Sequence, residues 1–531
     1  MSARPEEELA AEVDGLLAVI EGNVLRGTGP AAAVAAPEGY LGAEGRLGSG
    51  PSPALVDAGY RLEVADARIL HEGLCLADLA HVLELVDAEV APRGAAARLC
   101  RVLLDFLSTP VESFPYHAVY GDAYNSRERE LERRIGAAAG WLPTGRTRRE
   151  AGRLAIRLAL RRRLLDLHAA VAGLATSLVQ RALESASVPW NDTTYLQPAQ
   201  PSSFGYYLAG FAEQATRDLQ RVRSCHRWAN LSPAGSGGVG GTSIPLSRER
   251  ISDRLGFRRP TRHIRDGMWA ADGMVDCTVA ATQAVMNADR LAEDLEVFAT
   301  PQFGYVALGG SSSRASVLLP QKRNPYALAV IRGGCGTLIG RSTGLMSTQR
   351  TPSARTDNWL YAYGEVTGSV ELAGRLLRLA TDVVTTMEVD VGRLTDSAGD
   401  NFTTATDLTE LLVLGCGLDY RSAYRVVGRA VADVSERDGS RVAAVDLERA
   451  AGECGIDPSG LSSAVERAGD VAAIISSRDS PGGSAPRRVV EHCGSVLERL
   501  RGALEWAQAT RDAHESVTAR LLSEASALAE R

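Results

Sequence analysis

The sequence predicts an all-α protein: an elongated subunit in three parts around a central bundle of long helices. Three observations predict it. Residues 150–186 run without proline and with only two glycines, rich in Leu, Ala and Arg. They can sustain a helix of roughly thirty residues, on the order of 45 Å long. Residues 268–298 and 361–387 have the same character. In 204–222, Phe204, Tyr207, Leu208, Phe211, Ala215, Leu219 and Val222 follow steps of three and four, the spacing of one helix face. Long helices with few strand signals point to a bundle.

The elements divide in chain order. Residues 1–149 read as an N-terminal helical part carrying a flexible arm, because 27–53 are rich in Gly, Pro and Ala. Residues 150–388 hold the long helices of the central bundle. Residues 389–531 form a smaller C-terminal helical part of shorter segments, with a Gly/Ser-rich break at "SRDSPGGSAPRR" (477–488). The long apolar segments have more greasy surface than one three-helix bundle hides, which predicts self-association into a homotetramer.

Composition narrows the function. Hydrophobic content is 45% and charge 23%, ordinary for a globular chain of 531 residues. Lys+Arg is 58 against Asp+Glu 65, a net charge of −7, with no basic face interleaved with aromatics, so nucleic acid is not an expected partner. The eight cysteines are scattered without a C-x-x-C pair, which fits a reducing compartment rather than a disulfide framework. The acidic, amphipathic start "MSARPEEELAAEVDGLL" does not resemble a signal peptide, and no apolar run approaches the ~20 residues of a membrane span. A cytoplasmic protein without membrane contact is expected. No H-x-x-x-H pair occurs, and neither metal nor cofactor is expected.

One short stretch carries chemistry. "SVLLPQKRNP" (316–325) has no strand alternation, and Pro320 forbids a helix through it. Asn324 and Pro325 read as an N-cap and first helical position ahead of the apolar "YALAVIRGG". The loop then presents the Ser316 hydroxyl and the Lys322 amine near a positive helix end, which suits an anionic ligand. The glycine-rich "AGSGGVGGTS" (234–243) lacks a preceding strand and the Gly-Lys-Ser/Thr ending of a phosphate loop. Close packing against a ligand or another subunit explains it better.

Several stretches together resemble the fumarase/aspartase superfamily, and its argininosuccinate lyase branch in particular. They are "TGRTRRE" (144–150), "TYLQPAQP" (194–201), "AGSGGVGGT" (234–242), "IPLSRERISDRLGF" (244–257), the 316–325 loop, "ATDLTELLV" (405–413) and "SSRDSPGGSAP" (476–486). The resemblance implies an elongated all-α subunit, and a homotetramer in which three subunits assemble each active site. It implies β-elimination from a substituted succinate, releasing fumarate. A base removes the proton beside a carboxylate, and fixed positive charge stabilises the resulting dianion. By resemblance Ser316 is the base and Lys322 faces the aci-carboxylate. Asn324, Thr147, Arg148 and Thr194 contact the substrate's carboxylates, with Gln197 and Ser236 as further substrate-binding positions; an arginine fork suits a carboxylate bidentately.

The departures are equally informative. Tyr195 stands where the branch carries a candidate proton-donating histidine, and Ala329 where it carries that histidine's partner glutamate. Tyr124 replaces another histidine, Arg149 an asparagine, and Ala315 and Val317 the flanking glycine and serine of the loop. Gln349 and Ala354 replace residues expected at the amino-acid end of argininosuccinate. A carbon–nitrogen lyase of specialised (secondary) metabolism, acting on another succinate, fits better. Either Tyr195 donates the proton in place, or the leaving group, such as nitrite, departs without one. The alternatives on the same scaffold are a cycloisomerase or cyclase, and a non-catalytic crystallin-like relative.

Overall fold

The computed structural model describes residues 11–16, 18, 49–350 and 359–531. Most of the Gly/Pro/Ala-rich arm, and Ala354, lie outside them. Among the described residues, thirteen helices of nine residues or more carry the fold. They are α1 (Ala67–Asp87), α2 (Arg93–Ser108), α3 (Ala123–Ile135), α4 (Arg148–Glu184), α5 (Phe204–Ala229), α6 (Asp272–Phe298), α7 (Tyr326–Gln349) and α8 (Ala362–Thr386), followed by α9 (Ala405–Cys416), α10 (Tyr420–Ser435), α11 (Ala444–Glu453), α12 (Leu461–Gly469) and α13 (Pro486–Ala529). The chain is all-α, as its composition and spacing predict. The described strands form only two-stranded ladders.

The three long segments fold as expected. Helix α4 spans 37 residues, α6 27 and α8 25. With α5 and α7 they surround the largest core, built from residues such as Leu160, Leu178, Phe204, Leu291, Leu338 and Val370. Trp190 is 1% exposed and sits among Phe204, Tyr207, Phe298 and Tyr305. A second core joins α1, α2 and α3 to the end of α13 through Leu99, Leu103, Phe106, Leu521 and Ala525. A third, smaller core lies between α9, α10, α11 and α12. Helix α13 is 44 residues long and contributes Val489, Cys493, Val496 and Leu500 to the first core before reaching the second. It therefore runs back along the bundle, starting one residue after Ala485 at the end of the glycine-rich break.

Two local features differ from the sequence reading. Residues 189–203 form a hairpin, β1 (Pro189–Thr194) and β2 (Gln197–Ser203), that proline content and absent alternation hide. The 316–325 stretch is closed by a short ladder of β3 (Arg314–Ala315) and β4 (Arg323–Asn324). Asn324 is thus not the N-cap. Its amide donates to the Arg314 carbonyl at 3.0 Å, and Pro325 occupies the cap position before α7. Tying the loop's two ends together takes the side chain that would have capped the helix.

All eight cysteines are free thiols. Among the described residues no helix is long and apolar enough to cross a membrane.

Candidate active site

Thr147 N-caps α4: its hydroxyl oxygen accepts from Glu150 N at 3.4 Å, and its hydroxyl donates to the Gly237 carbonyl at 3.0 Å. The T-x-x-E pattern is that of a capping box, in which the glutamate returns to the cap residue's own amide. Here Glu150 does something else. Its two oxygens accept from Gly235 N and Gly237 N, both at 2.7 Å, and so pin the glycine-rich loop to the first turn of α4. Glu150 is 1% exposed, and burial raises its carboxyl to about 7 against the opposing Arg146 charge and loop amides. Glycine is needed at 237: φ is +56°, and a Cβ would lie 2.5 Å from the Gly241 carbonyl oxygen. The loop's close packing is therefore against Glu150 of its own chain. Ser236 is fully buried, and its hydroxyl donates to the Pro233 carbonyl, so within one chain it faces the loop rather than a ligand.

Arg148 lies beside this cap and pairs with Asp122 at 3.0 Å. Asp122 is itself fixed as the N-cap of α3, accepting from Asn125 N at 2.9 Å. Behind them Asp78, fully buried, binds Arg127 at 2.8 Å and Arg146 at 2.6 Å. This network holds "TGRTRRE" against α1.

Arg148 and Asp122 line a small, partly open cleft with about 40 Å³ of free space. Glu63, Asp66, Tyr124, Arg149, Arg153, Trp359 and Tyr363 share its wall. Arg149 pairs with Glu63 at 2.7 Å. The Asp66 carboxyl has no hydrogen bond or ion pair among the described residues, and burial, followed by the nearby Glu63 charge, raises it to about 7. Sequence reading misses Glu150, Asp66 and Arg153. The first was visible as the capping-box spacing, and the last as one of four arginines (149, 153, 157, 161) at four-residue intervals along one helix face.

The other predicted residues lie elsewhere on the chain. Thr194, Tyr195, Leu196 and Gln197 form the tip of the β1–β2 hairpin, all exposed, with Tyr195 98% exposed. Tyr195 and Leu196 have φ of +56° and +58°. Two-residue hairpin turns of this hand favour Asn-Gly, and a non-glycine side chain there costs roughly 1–2 kcal/mol per residue.

Ser316 heads the second loop. Its hydroxyl oxygen accepts from Leu319 N at 3.0 Å, and Lys322 N closes the turn onto the Leu319 carbonyl at 3.0 Å. Val317 and Leu318 between them are fully or nearly fully exposed, and Lys322 extends to solvent. No hydrogen bond or ion pair among the described residues joins the 194–197 tip, the 316–324 loop and the Thr147–Arg148 cap. The fold brings together Thr147, Arg148 and Ser236. It does not bring Thr194, Tyr195, Gln197, Ser316, Lys322 and Asn324 to them within one subunit.

Comparison with known proteins sets this arrangement in context. The chain matches the lyase family over residues 64–340 and the argininosuccinate lyase C-terminal family over residues 402–476. It is 31% identical over 463 residues to "Argininosuccinate lyase 1" of Mesorhizobium japonicum, covering 86% of this chain and 97% of that one. In three dimensions it resembles an EDDS lyase variant with bound fumarate, with a TM-score of 0.81 at 23% identity, covering 93% of this chain and 99% of the other. It also resembles the 3-carboxy-cis,cis-muconate lactonizing enzyme of Pseudomonas putida, with a TM-score of 0.67 at 20% identity over 83% of this chain and 97% of that one.

Proposed function

Since the chain belongs to the argininosuccinate lyase-like branch of the fumarase/aspartase superfamily and is a carbon–nitrogen lyase of that group, we propose that it eliminates a nitrogen leaving group from a substituted succinate other than argininosuccinate, releasing fumarate. One observation carries the reading. The motif-bearing segments are each built to a stable local geometry, yet two of the three end in exposed apolar residues, Tyr195–Leu196 and Val317–Leu318. Exposed side chains at strained or closed turns lose stability in a lone subunit and gain a role when another copy covers them. The active site is therefore completed by association, as a homotetramer whose copies contribute the cap, the hairpin tip and the Ser316 loop.

Helix α7 offers the surface for this. Tyr326, Val330, Ile339 and Met346 are exposed on it, and Gly333, Gly336, Gly340 and Gly344 have open space where a side chain would stand. Small residues on an apolar helix face let a second helix approach closely.

In the assembled site Ser316 removes the C–H proton. Its anion is favoured by the Leu319 amide already donating to it and by the charge of Lys322. Lys322 and Asn324 face the carboxylate adjoining that carbon. Arg148 and Thr147 take the other carboxylate. Only one of the five guanidinium N–H groups of Arg148 is spent on Asp122, which leaves a fork for the ligand. Thr194 and Gln197 at the hairpin tip complete the carboxylate contacts, Ser236 backs the cap, and Tyr195 hands a proton to the departing nitrogen where one is needed.

The test is a panel of N-substituted and nitro-substituted succinates, followed by fumarate absorbance. Turnover of at least one, with reverse addition to fumarate, is expected. Failure in both directions across amines, hydrazines and nitrite would overturn the reading.

A further inference from the structure

The cleft beside Arg148 contains two buried donors with nothing to donate to. Arg153 is 1% exposed. Its Nε donates to the Met268 carbonyl at 3.2 Å and its Nη1 to the Tyr363 hydroxyl, while Nη2 has no partner. Several buried arginines leave an Nε unpaired; among the described residues Arg153 is the one whose terminal nitrogen is orphaned. Tyr124 is 6% exposed on the same wall, and its hydroxyl is also unpartnered. Buried polar groups are almost always hydrogen-bonded, so two unpartnered in one cleft call for a missing acceptor.

The charges point the same way. Of the three arginines lining the cleft, Arg148 is answered by Asp122 and Arg149 by Glu63. Arg153 has no carboxylate within ion-pair distance, and the remaining carboxyl on the wall, Asp66, is pushed up to about 7 by burial. Its neighbours along the same helix face show the alternative. Arg157 donates to the Trp228 carbonyl at 2.6 Å and Arg161 to the Leu255 and Gly256 carbonyls, all at helix ends. Those two reach backbone carbonyls through their terminal nitrogens; Arg153 leaves one terminal nitrogen without an acceptor. Its guanidinium carbon also lies 3.4 Å from the centre of the Trp359 ring, which fixes the plane of the fork and leaves its edge for a ligand. A group that only accepts, carries negative charge and is planar fits this wall.

We propose that Arg153, backed by Trp359 and assisted by Tyr124, is an oxyanion site for the leaving group, so that the departing nitrogen fragment is a planar oxyanion or bears one. This rests on the lyase reading for which end of the substrate occupies the site, because Arg148 on the same cleft takes the succinyl carboxylate. Nitrite and a carboxylate-bearing amine share the chemistry, and a neutral-tailed amine lacks it.

The experiment is the reverse reaction on the full-length assembled enzyme at saturating fumarate. The nitrogen bonds to one vinyl carbon and the other takes a proton. Nitrite, glycine and methylamine are compared in wild type, Arg153→Met and Arg153→Lys. Nitrite or glycine is expected to add at least about ten-fold faster than methylamine, a charge-assisted hydrogen bond's worth. The Met variant is expected to shrink that ratio about ten-fold and the Lys variant by less, with thermal melting checking that both fold. Which of the two anions leads identifies the source of the oxyanion. An unchanged ratio in Arg153→Met overturns the proposal.

A second readout separates it from the lyase reading. Tryptophan fluorescence is titrated with sodium nitrate and sodium acetate in wild type, Trp359→Phe and Arg153→Met. A saturable response lost in both variants supports the anion site even if no substrate is turned over. No Trp359-dependent response means water satisfies the two donors, and the site fails even if the lyase reaction is found.

Discussion

The cap at the start of α4 and the loop before α7 carry the two halves of the proposed chemistry, and they are built in opposite ways. At the cap, buried Asp78 pairs with Arg146, Glu150 holds the loop amides and Asp122 pairs with Arg148, so the proposed carboxylate-binding Arg148 sits on a rigid base. At the loop, Ser316, Lys322 and their apolar neighbours reach outward from a single two-residue ladder. The contrast teaches where each half gets its order. The cap is preorganised by its own chain. The loop and the hairpin tip are shaped locally, and in the proposed assembly another copy positions them. Substitutions should therefore separate: those in the buried network beneath the cap act through folding, those at the loop and at Arg148 itself through catalysis.

The largest effects test that separation directly. Asp78→Ala leaves two buried guanidinium groups facing each other and is expected to cost about 3–5 kcal/mol in chemical unfolding. Ser316→Ala is expected to leave unfolding within about 0.5 kcal/mol of wild type, as for any exposed position, yet to slow elimination of every substrate. A loss of roughly 10²–10⁴-fold is the size of a missing general base. A destabilised Ser316→Ala, or an active one, would break the contrast.

Glu150→Ala comes next. It releases the Gly235 and Gly237 amides inside the protein, at about 1–3 kcal/mol for each unsatisfied donor. Proteolysis within 234–243 should rise with it, because the loop loses its tie to α4. Tyr195→Phe sharpens the other side. As proton donor its loss slows departure of an amine by ~10²-fold while sparing nitrite. Equal losses for both leaving groups would make it a positioning residue instead.

The smallest effect is a pH dependence. Asp66 is raised from 3.8 to about 7, so between those values the folded protein holds a proton that the unfolded chain has released. Stability from this group therefore falls as pH rises through that window. Asp66→Asn is expected to raise the melting temperature at pH 8 and to leave it nearly unchanged at pH 4. A uniform shift at both values would mean the carboxyl is not held protonated.

Much of the frame was legible in the sequence. Proline-free stretches with apolar steps of three and four gave α4, α5, α6 and α8, since helix period and length are local properties. The motif loops were legible as chemistry because Ser316, Lys322 and Arg148 are residue types with few other reasons to recur in that order. Partners distant in the chain were not legible. Glu150 and the glycine loop are 85 and 87 positions apart, and nothing in T-x-x-E says that the glutamate turns away from its own cap. Asn324 reads as a cap until Arg314, ten residues earlier, claims its amide. The hairpin at 189–203 was hidden by Pro189, Pro198 and Pro201, tolerated because a two-stranded ladder has only edge strands. Nothing local marks Arg153 among the arginines of α4; its burial depends on Trp359 and Tyr363, about two hundred residues away.

The central claim is that one site is made from several copies, and subunit complementation tests it most directly. Arg148→Ala and Ser316→Ala chains, each inactive alone, are co-expressed with different tags and the mixed assemblies purified through both. Fumarate formation is then measured per tetramer. The account predicts that the mixed tetramers recover activity that neither parent has, because some sites draw Arg148 from one chain and Ser316 from another. Mixed tetramers as inactive as their parents, with wild-type melting temperatures, would contradict it and place the whole site within one subunit.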